Sequence, residues 1–253
     1  MACQLDSLIY EEQNDVNYDV DSSPLAWEHY KKVYDTKQWP LIAKFDLNNI
    51  RLRRFKHENI TYTRLLVRIK IDSSSFNEER KWSKFTLGGD CDFNFNEKKV
   101  SKFKKILGES NELLNYCSRR HHTLLNFSIM PATGGMNSFK GIKPFDRLDT
   151  FVYHLNQYYT KKDELILSNS RYNKQPLIDF LNTFDNIYDY CKKIYFLSNK
   201  DFVDRLILEG ERPLLVPKDV VRYMQLAKDY WNEKENSWNE MNLYDSNPDS
   251  NNH

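Results

Sequence analysis

An alternation of apolar and basic residues marks the clearest strand in the chain. Between residues 61 and 71, nearly every second residue is apolar, and most of the residues between them are basic. A period of two predicts a strand with one apolar face and one mostly basic face. A second strand is predicted over residues 82–87, where Gly88 and Gly89 end the pattern, and a third within the apolar run 124–130.

Apolar residues at three- and four-residue spacing predict helices through most of the remaining chain. A pair of serines before Pro24 is typical of a capped helix start, and Gly108 is typical of a helix C-terminus. Pro176 opens a long helix, whose apolar spacing continues through Ile194. The other predicted helices span residues 97–107, 110–118, 146–160, 200–209 and a last segment that begins at Pro217.

This order of elements predicts an α+β fold. We expect a small mixed or antiparallel sheet, built from the N-terminal half and residues 123–130, to pack against a helical C-terminal half. Residues 1–23 hold six acids and no Lys or Arg, which indicates a partly ordered acidic arm. One domain is predicted over residues 24–236, followed by a polar disordered tail over residues 237–253.

Composition narrows the class of protein. Of the 253 residues, 40% are hydrophobic and 29% are charged, as is usual for soluble globular proteins. The four cysteines form no CxxC pair, which favours reduced thiols in a cytoplasmic protein. No apolar run is long enough to span a membrane, and the acidic start is unlike a signal peptide. We therefore expect a cytoplasmic protein with no membrane contact, no cofactor and no bound metal; the oligomeric state stays open.

A glycine-rich loop after the strand at 124–130 is the first candidate site. It contains Gly134, Gly135, Asn137 and Lys140. Glycines let backbone N–H groups approach a phosphate, and Lys140 would add positive charge. The loop matches neither a Walker A motif nor a GxGxxG motif, so a plain strand-to-helix connection is the alternative.

Arg147 begins the helix that follows this loop, between two acids. Asp146 is placed to cap the helix, and Asp149 suits the positive end of the helix dipole. Arg147 would then pair with either acid and have a structural role. The alternative is that Arg147 binds a phosphate held by the glycine-rich loop, because arginine is a common bidentate anion ligand.

The middle of the chain is basic, with eight Lys and Arg against two acids between residues 44 and 70. Basic strand residues beside aromatic ones can follow a nucleic-acid backbone while the rings stack on bases. The alternative is that the acidic chain ends neutralise this region, in keeping with a formal net charge of +1. The predicted nucleic-acid contacts are Arg51, Arg53, Arg54, Arg64, Arg68 and Lys70.

Two further groups have weaker claims to chemistry. The run Arg-Arg-His-His at residues 119–122 could act in acid–base chemistry, but positive side chains are also typical of a helix C-terminus. Asp90 with Asp92, or Asp146 with Asp149, could bind Mg²⁺ in a nuclease-like enzyme. No established catalytic motif is present, so catalytic residues stay unknown.

Four segments within residues 19–197 are the basis of a resemblance: DVDSSPLAWEHYKKVYDTKQWP, IMPATGGMN, FDRLDTFVYHLNQYY and PLIDFLNTFDNIYDYCKKIYFL. They resemble a functionally uncharacterised family of bacterial and phage-borne proteins. This chain lacks the longer glycine-rich insertion, with Asn and Arg, that the family has in the loop. The resemblance implies one continuous domain and supplies no catalytic residues.

The leading functional hypothesis is binding of nucleic acid or a phosphorylated ligand. The resemblance suggests a setting in phage–host conflict, as a defence or anti-defence protein. The alternative is a protein-binding module or inhibitor without catalytic activity, which would use its aromatic side chains and acidic ends. A metal-dependent nuclease-like enzyme is the third possibility.

Overall fold

The fold combines an antiparallel sheet with a helical C-terminal half, as the order of predicted elements indicated. A computed structural model describes residues 26, 29–30, 33–34, 51–57, 60–70, 82–108, 111–131, 141–142, 145–167 and 174–241. The predicted acidic arm at residues 1–23 lies outside them. The α+β prediction is confirmed.

The main sheet has four antiparallel strands in sequence order. Its strands are β1 (Arg51–His57), β2 (Ile60–Lys70), β3 (Trp82–Cys91) and β4 (Phe127–Pro131). The strand predicted to stop before Gly88 instead continues to Cys91, because those residues pair with β4. A two-stranded ribbon, β5 (Gly141–Ile142) and β6 (Phe145–Asp146), precedes the C-terminal helices.

Two strand predictions needed correction. β1 was not predicted, because its sequence RLRRFKH has no regular apolar alternation; seven cross-strand pairs with β2 define it instead. The apolar run 124–130 is not all strand. It begins with a 3₁₀ turn, Leu124–Asn126, and extends only from Phe127.

From residue 97 onward, the described residues form seven α-helices, and asparagine caps begin four of them. Asn96, Asn111, Asn186 and Asn199 each accept a hydrogen bond from a backbone N–H in the first turn. Gly108 ends the first helix with a φ of 90°, which confirms its predicted role. The helices are α1 (Glu97–Leu107), α2 (Glu112–Arg120), α3 (Leu148–Lys161), α4 (Gln175–Leu181), α5 (Ile187–Tyr195), α6 (Lys200–Gly210) and α7 (Pro217–Glu240).

The prediction of one long helix from Pro176 to Ile194 is wrong, because this stretch forms two helices. Residues 182–186 are turns and bends between α4 and α5. Asn186 ends the break, since its side chain accepts hydrogen bonds from two backbone N–H groups of α5. The apolar spacing continues through the break because Phe184, one of the residues of the break, packs on Tyr190. Their ring centres are 4.7 Å apart.

Helix α7 is the longest described helix and passes through the core. Trp231 and Trp238 on this helix are at most 1% exposed. The helix ends at Glu240, four residues beyond the predicted domain boundary at 236, because Trp238 is buried beside His29 and Phe196. Position 237 is therefore part of the helix and not of a tail.

Candidate nucleic-acid interface

The register of the sheet brings basic residues of neighbouring strands together. Arg53 of β1 lies opposite Arg64 of β2, and Arg68 of β2 lies opposite Lys84 of β3. Arg51 is two positions from Arg53 and lies on the same face, since residues on a strand alternate between faces. These five residues therefore share one face of the sheet.

Aromatic residues occupy the same face at both ends of this basic group. Phe55 pairs with Tyr62 at one end, and Trp82 pairs with Lys70 at the other. Strands β1 to β3 contain eight basic residues against a single acid, Asp90. We call this side of the sheet the basic sheet face; its basic and aromatic members are Arg51, Arg53, Phe55, Tyr62, Arg64, Arg68, Lys70, Trp82 and Lys84.

Five of the six predicted nucleic-acid contacts thus belong to one face. Arg54 is the exception: it lies opposite Thr63, in the register that belongs to the other face. The sequence pattern could not separate Arg53 from Arg54, because β1 was not predicted as a strand. The glycine-rich loop residues Gly134, Gly135, Asn137 and Lys140 lie outside the described residues.

Arg147 is buried, with 7% of its surface exposed, and its guanidinium is occupied by protein acceptors. Its Nε and Nη2 donate to the two carboxylate oxygens of Asp149, at 3.0 and 2.6 Å. Nη2 also donates to the Glu209 carbonyl at 2.8 Å, and Nη1 donates to the Arg212 carbonyl at 2.6 Å. The pairing with Asp149 proposed as the structural alternative is therefore present, while phosphate binding by Arg147 stays a prediction.

These contacts join the start of α3 to the end of α6. The last carbonyls of a helix lack intrahelical partners, and a guanidinium placed there satisfies them. Glu209 accepts hydrogen bonds at its own side chain from Arg212, at 2.8 Å, and from Arg222 of α7. Arg222 also donates to Asp219 at 3.0 Å. The cluster therefore connects three helices.

Asp92, one of the candidate magnesium ligands, is instead paired with a buried lysine. Its Oδ2 lies 3.0 Å from Lys234 Nζ and accepts hydrogen bonds from Tyr230, at 2.6 Å, and Ser128, at 2.9 Å. Asp149, another candidate, is paired with Arg147 in the same way. Among the described residues, no group of three or more His, Cys, Asp or Glu side chains is arranged to bind a metal ion.

Lys234 was not predicted to be buried, although the sequence contains a signal for its burial. The apolar stripe of α7 runs through Val220, Met224, Ala227 and Trp231, and Lys234 takes the next position on it. A lysine on an apolar stripe requires an internal partner, since burying an unpaired ammonium is very unfavourable. Its partner could not be identified, because Asp92 is 142 residues away in sequence.

The run at residues 119–122 ends α2, in agreement with the helix C-terminus interpretation. Arg119 and Arg120 lie in its last turn, where the dipole favours positive charge. His121 follows as the C-cap, is buried, and places Nδ1 3.3 Å from the Phe93 carbonyl. Burial lowers the pKa of His122, and the nearby Glu97 opposes that shift.

A cleft between α2 and α7 is a feature that the sequence did not indicate. It encloses about 550 Å³ and is lined by Glu112, Leu113, Asn115, Tyr116, Arg119, Gln225 and Lys228. The Lys228 ammonium lies 5.5 Å from the centre of the Tyr116 ring, and the Arg120 guanidinium lies 5.7 Å from it. Glu112, Tyr116 and Arg119 follow helical spacing, but only the tertiary approach of α7 makes them part of a cleft.

Comparison with known proteins gave no family model, no curated protein and no solved structure that matches the chain. Within the part of the chain that the structure describes, none of the helices combines the length and apolar character required to cross a membrane.

Proposed function

We propose that this protein binds single-stranded nucleic acid on the basic sheet face. The observation that carries the proposal is the register that sets Arg53 directly opposite Arg64. Like charges in directly opposed positions destabilise a strand pair. A polyanion bound across both strands would offset that repulsion. The opposed arginines are therefore explained if this face binds a polyanion.

The aromatic positions favour a single strand over a duplex. Phe55, Tyr62 and Trp82 share the face with the basic residues. Bases of a single strand are free to stack on aromatic rings, while Lys and Arg neutralise its phosphates. Such contacts tolerate many sequences, because every base offers a planar face. We therefore expect a salt-sensitive interaction with little sequence preference, and the family resemblance suggests phage–host conflict as its setting.

The test is the fluorescence anisotropy of a labelled dT₂₀ oligonucleotide at two salt concentrations. If four phosphates are neutralised, affinity should fall about 50-fold between about 50 and 200 mM salt, from a slope of about −0.7 per phosphate for single strands. The double variant Arg53→Gln/Arg64→Gln should bind more weakly and reduce the magnitude of the slope by about 1.4.

Arg54→Gln is the matched control, because Arg54 adjoins Arg53 in sequence but lies opposite Thr63. It should keep both the affinity and the salt slope of the unmodified protein. Equal weakening by Arg54→Gln would show that net charge alone is responsible and would contradict the proposal. Absence of binding in low salt would also contradict it and would favour the protein-binding alternative.

A further inference from the structure

The cleft between α2 and α7 has charged groups arranged for a small ligand. Arg119 and Lys228 come from different helices and line the same cleft. Neither forms an ion pair with any residue that the structure describes. Other arginines do form ion pairs, since Arg120 lies 4.0 Å from Glu235 and Arg205 lies 2.6 Å from Asp229. Two cations without internal counter-ions favour an anionic ligand.

Glu112 adds a carboxylate to the cleft, at the end away from Arg119. It lies in the first turn of α2, seven residues before Arg119. At about 1.5 Å per residue, the two positions are about 10 Å apart along the helix axis. A carboxylate accepts hydrogen bonds from hydroxyl groups, whereas the cations bind phosphate. Along α2 the cleft therefore has an acceptor at the Glu112 end and a cation at the Arg119 end, and Lys228 lies beside Tyr116 between them.

The wall between these ends is partly apolar and is held in place. Tyr116 packs against the buried Trp231, with 6.1 Å between ring centres, and Leu113 lines the same wall. The Gln225 amide is fixed by a 2.7 Å hydrogen bond to Asp229. A volume of about 550 Å³ lies within the range of small-molecule sites.

We propose that the α2–α7 cleft binds a phosphate ester that also carries hydroxyl groups, such as a nucleoside monophosphate or a sugar phosphate. Arg119 and Lys228 bind the phosphate, and Glu112 accepts hydrogen bonds from hydroxyl groups. Leu113 and the Tyr116 edge contact the ring of the ligand. This site is separate from the basic sheet face and does not depend on it.

Isothermal titration calorimetry with AMP, ribose 5-phosphate, adenosine and inorganic phosphate tests the proposal. AMP or ribose 5-phosphate should bind with a Kd below about 1 mM, and adenosine and phosphate should each bind at least about tenfold more weakly. Tighter binding of AMP identifies a nucleotide site, and equal binding identifies a sugar-phosphate site. If neither ester binds below about 1 mM, the proposal is wrong.

Variants locate the binding in the cleft. Arg119→Gln and Lys228→Gln should each reduce affinity for the bound ester by about tenfold or more, since each removes a charged hydrogen bond. Glu112→Gln should weaken the ester but leave inorganic phosphate unaffected, because phosphate does not reach that end. Thermal unfolding of each variant should differ little from that of the unmodified protein, because charges at the ends of a helix make only a small contribution to stability.

Lys200→Gln is the matched control for Lys228→Gln. The Lys200 ammonium lies 5.7 Å from the Tyr188 ring, so it makes the same type of contact outside the cleft. It should leave ester affinity unchanged, as should Arg53→Gln/Arg64→Gln on the basic sheet face. If Lys200→Gln weakens binding as much as Lys228→Gln, binding is nonspecific attraction to the surface and the assigned site is wrong.

Discussion

The Lys234 ammonium lies 3.0 Å from the Asp92 carboxylate, and neither side chain is more than 1% exposed. The same ammonium donates to the Phe127 carbonyl at 2.8 Å and to the Ser128 hydroxyl at 2.9 Å. Asp92 directly follows β3, Phe127 and Ser128 begin β4, and Lys234 belongs to α7. The ion pair therefore fixes the C-terminal helix against the sheet.

Lys234→Met should destabilise the protein by about 3–5 kcal/mol, because it leaves the Asp92 carboxylate buried without its cation. Methionine fills a similar volume, so loss of packing contributes little. Urea unfolding followed by circular dichroism measures the change in the free energy of unfolding. A double variant that also replaces Asp92 with Asn should lose less than the two single losses combined, since the two residues are coupled.

Lys193→Met is the control, because Lys193 forms a 2.7 Å ion pair with Asp189 at a position where both side chains are at least one-fifth exposed. Solvent-exposed pairs of this kind contribute up to about 1 kcal/mol. A loss for Lys234→Met as small as that for Lys193→Met would show that the buried pair does not hold α7 in place.

Arg147→Lys should destabilise the protein by about 2 kcal/mol, although the positive charge is kept. Lysine cannot bond both oxygens of Asp149 and also reach the carbonyls of Glu209 and Arg212. Loss of these contacts should increase hydrogen exchange at the end of α6, where the carbonyls lose their donor. Urea unfolding and hydrogen exchange followed by mass spectrometry measure the two effects.

Arg205→Lys provides the comparison for Arg147→Lys. The Arg205–Asp229 pair is partly exposed, and its substitution should change the free energy of unfolding by less than about 1 kcal/mol. If Arg147→Lys leaves stability unchanged but weakens binding of a phosphorylated ligand, Arg147 is a ligand-binding residue. The structural role assigned to it here would then be wrong.

Local sequence signals account for much of the helical half. Helices α1 and α6 could be placed closely from apolar spacing and from Gly108, whose capping contact is only four residues away; the Asn96 and Asn199 caps are equally local but were not predicted. The break at residues 182–186 could not, because Phe184 keeps the apolar spacing while the backbone leaves the helix. The spacing of apolar residues indicates which residues are buried. It does not indicate whether they belong to one helix or to two.

The candidate sites depend on long-range relationships, and this limits what the sequence reveals about them. The sequence shows that residues 44–70 are basic. The register between β1 and β2 is needed to show that Arg53 and Arg54 belong to opposite faces of the sheet. The α2–α7 cleft joins Arg119 to Lys228, more than 100 residues away. Charge composition indicates a ligand class, whereas strand register and helix packing decide which residues meet.

Gly210→Ala should destabilise the protein by about 3 kcal/mol, because a methyl group there overlaps backbone atoms that cannot move aside. A Cβ at Gly210 would lie 2.1 Å from the Asp149 carbonyl oxygen and 2.8 Å from the Tyr153 Cβ. The helices α3 and α6 would have to separate. Urea unfolding should show a larger loss than Gly108→Ala, where a Cβ meets no atom within 4 Å and only the φ of 90° is strained.

Stability should fall as the pH is lowered through the range in which histidines bind protons. Burial lowers the pKa of His122, opposed by Glu97, and burial lowers the pKa of His154, opposed by Asp163. An unfolded histidine titrates near pH 6.5, so the unfolded state binds protons first as the pH falls. Because protons then favour the unfolded state, the free energy of unfolding decreases below about pH 6.5 and levels off below the folded-state pKa values.

Urea unfolding between pH 7.5 and 5 tests this sign, and His122→Gln/His154→Gln should flatten the curve in that range. Asp219→Asn is the control, since hydrogen bonds from the backbone N–H groups of Leu215 and Val216 lower the pKa of Asp219 below its ordinary 3.8. The stability from Asp219 is present above that value and is lost at lower pH, so Asp219→Asn should leave the slope between pH 7.5 and 5 intact. A slope that persists in the double histidine variant would show that other groups control the pH dependence.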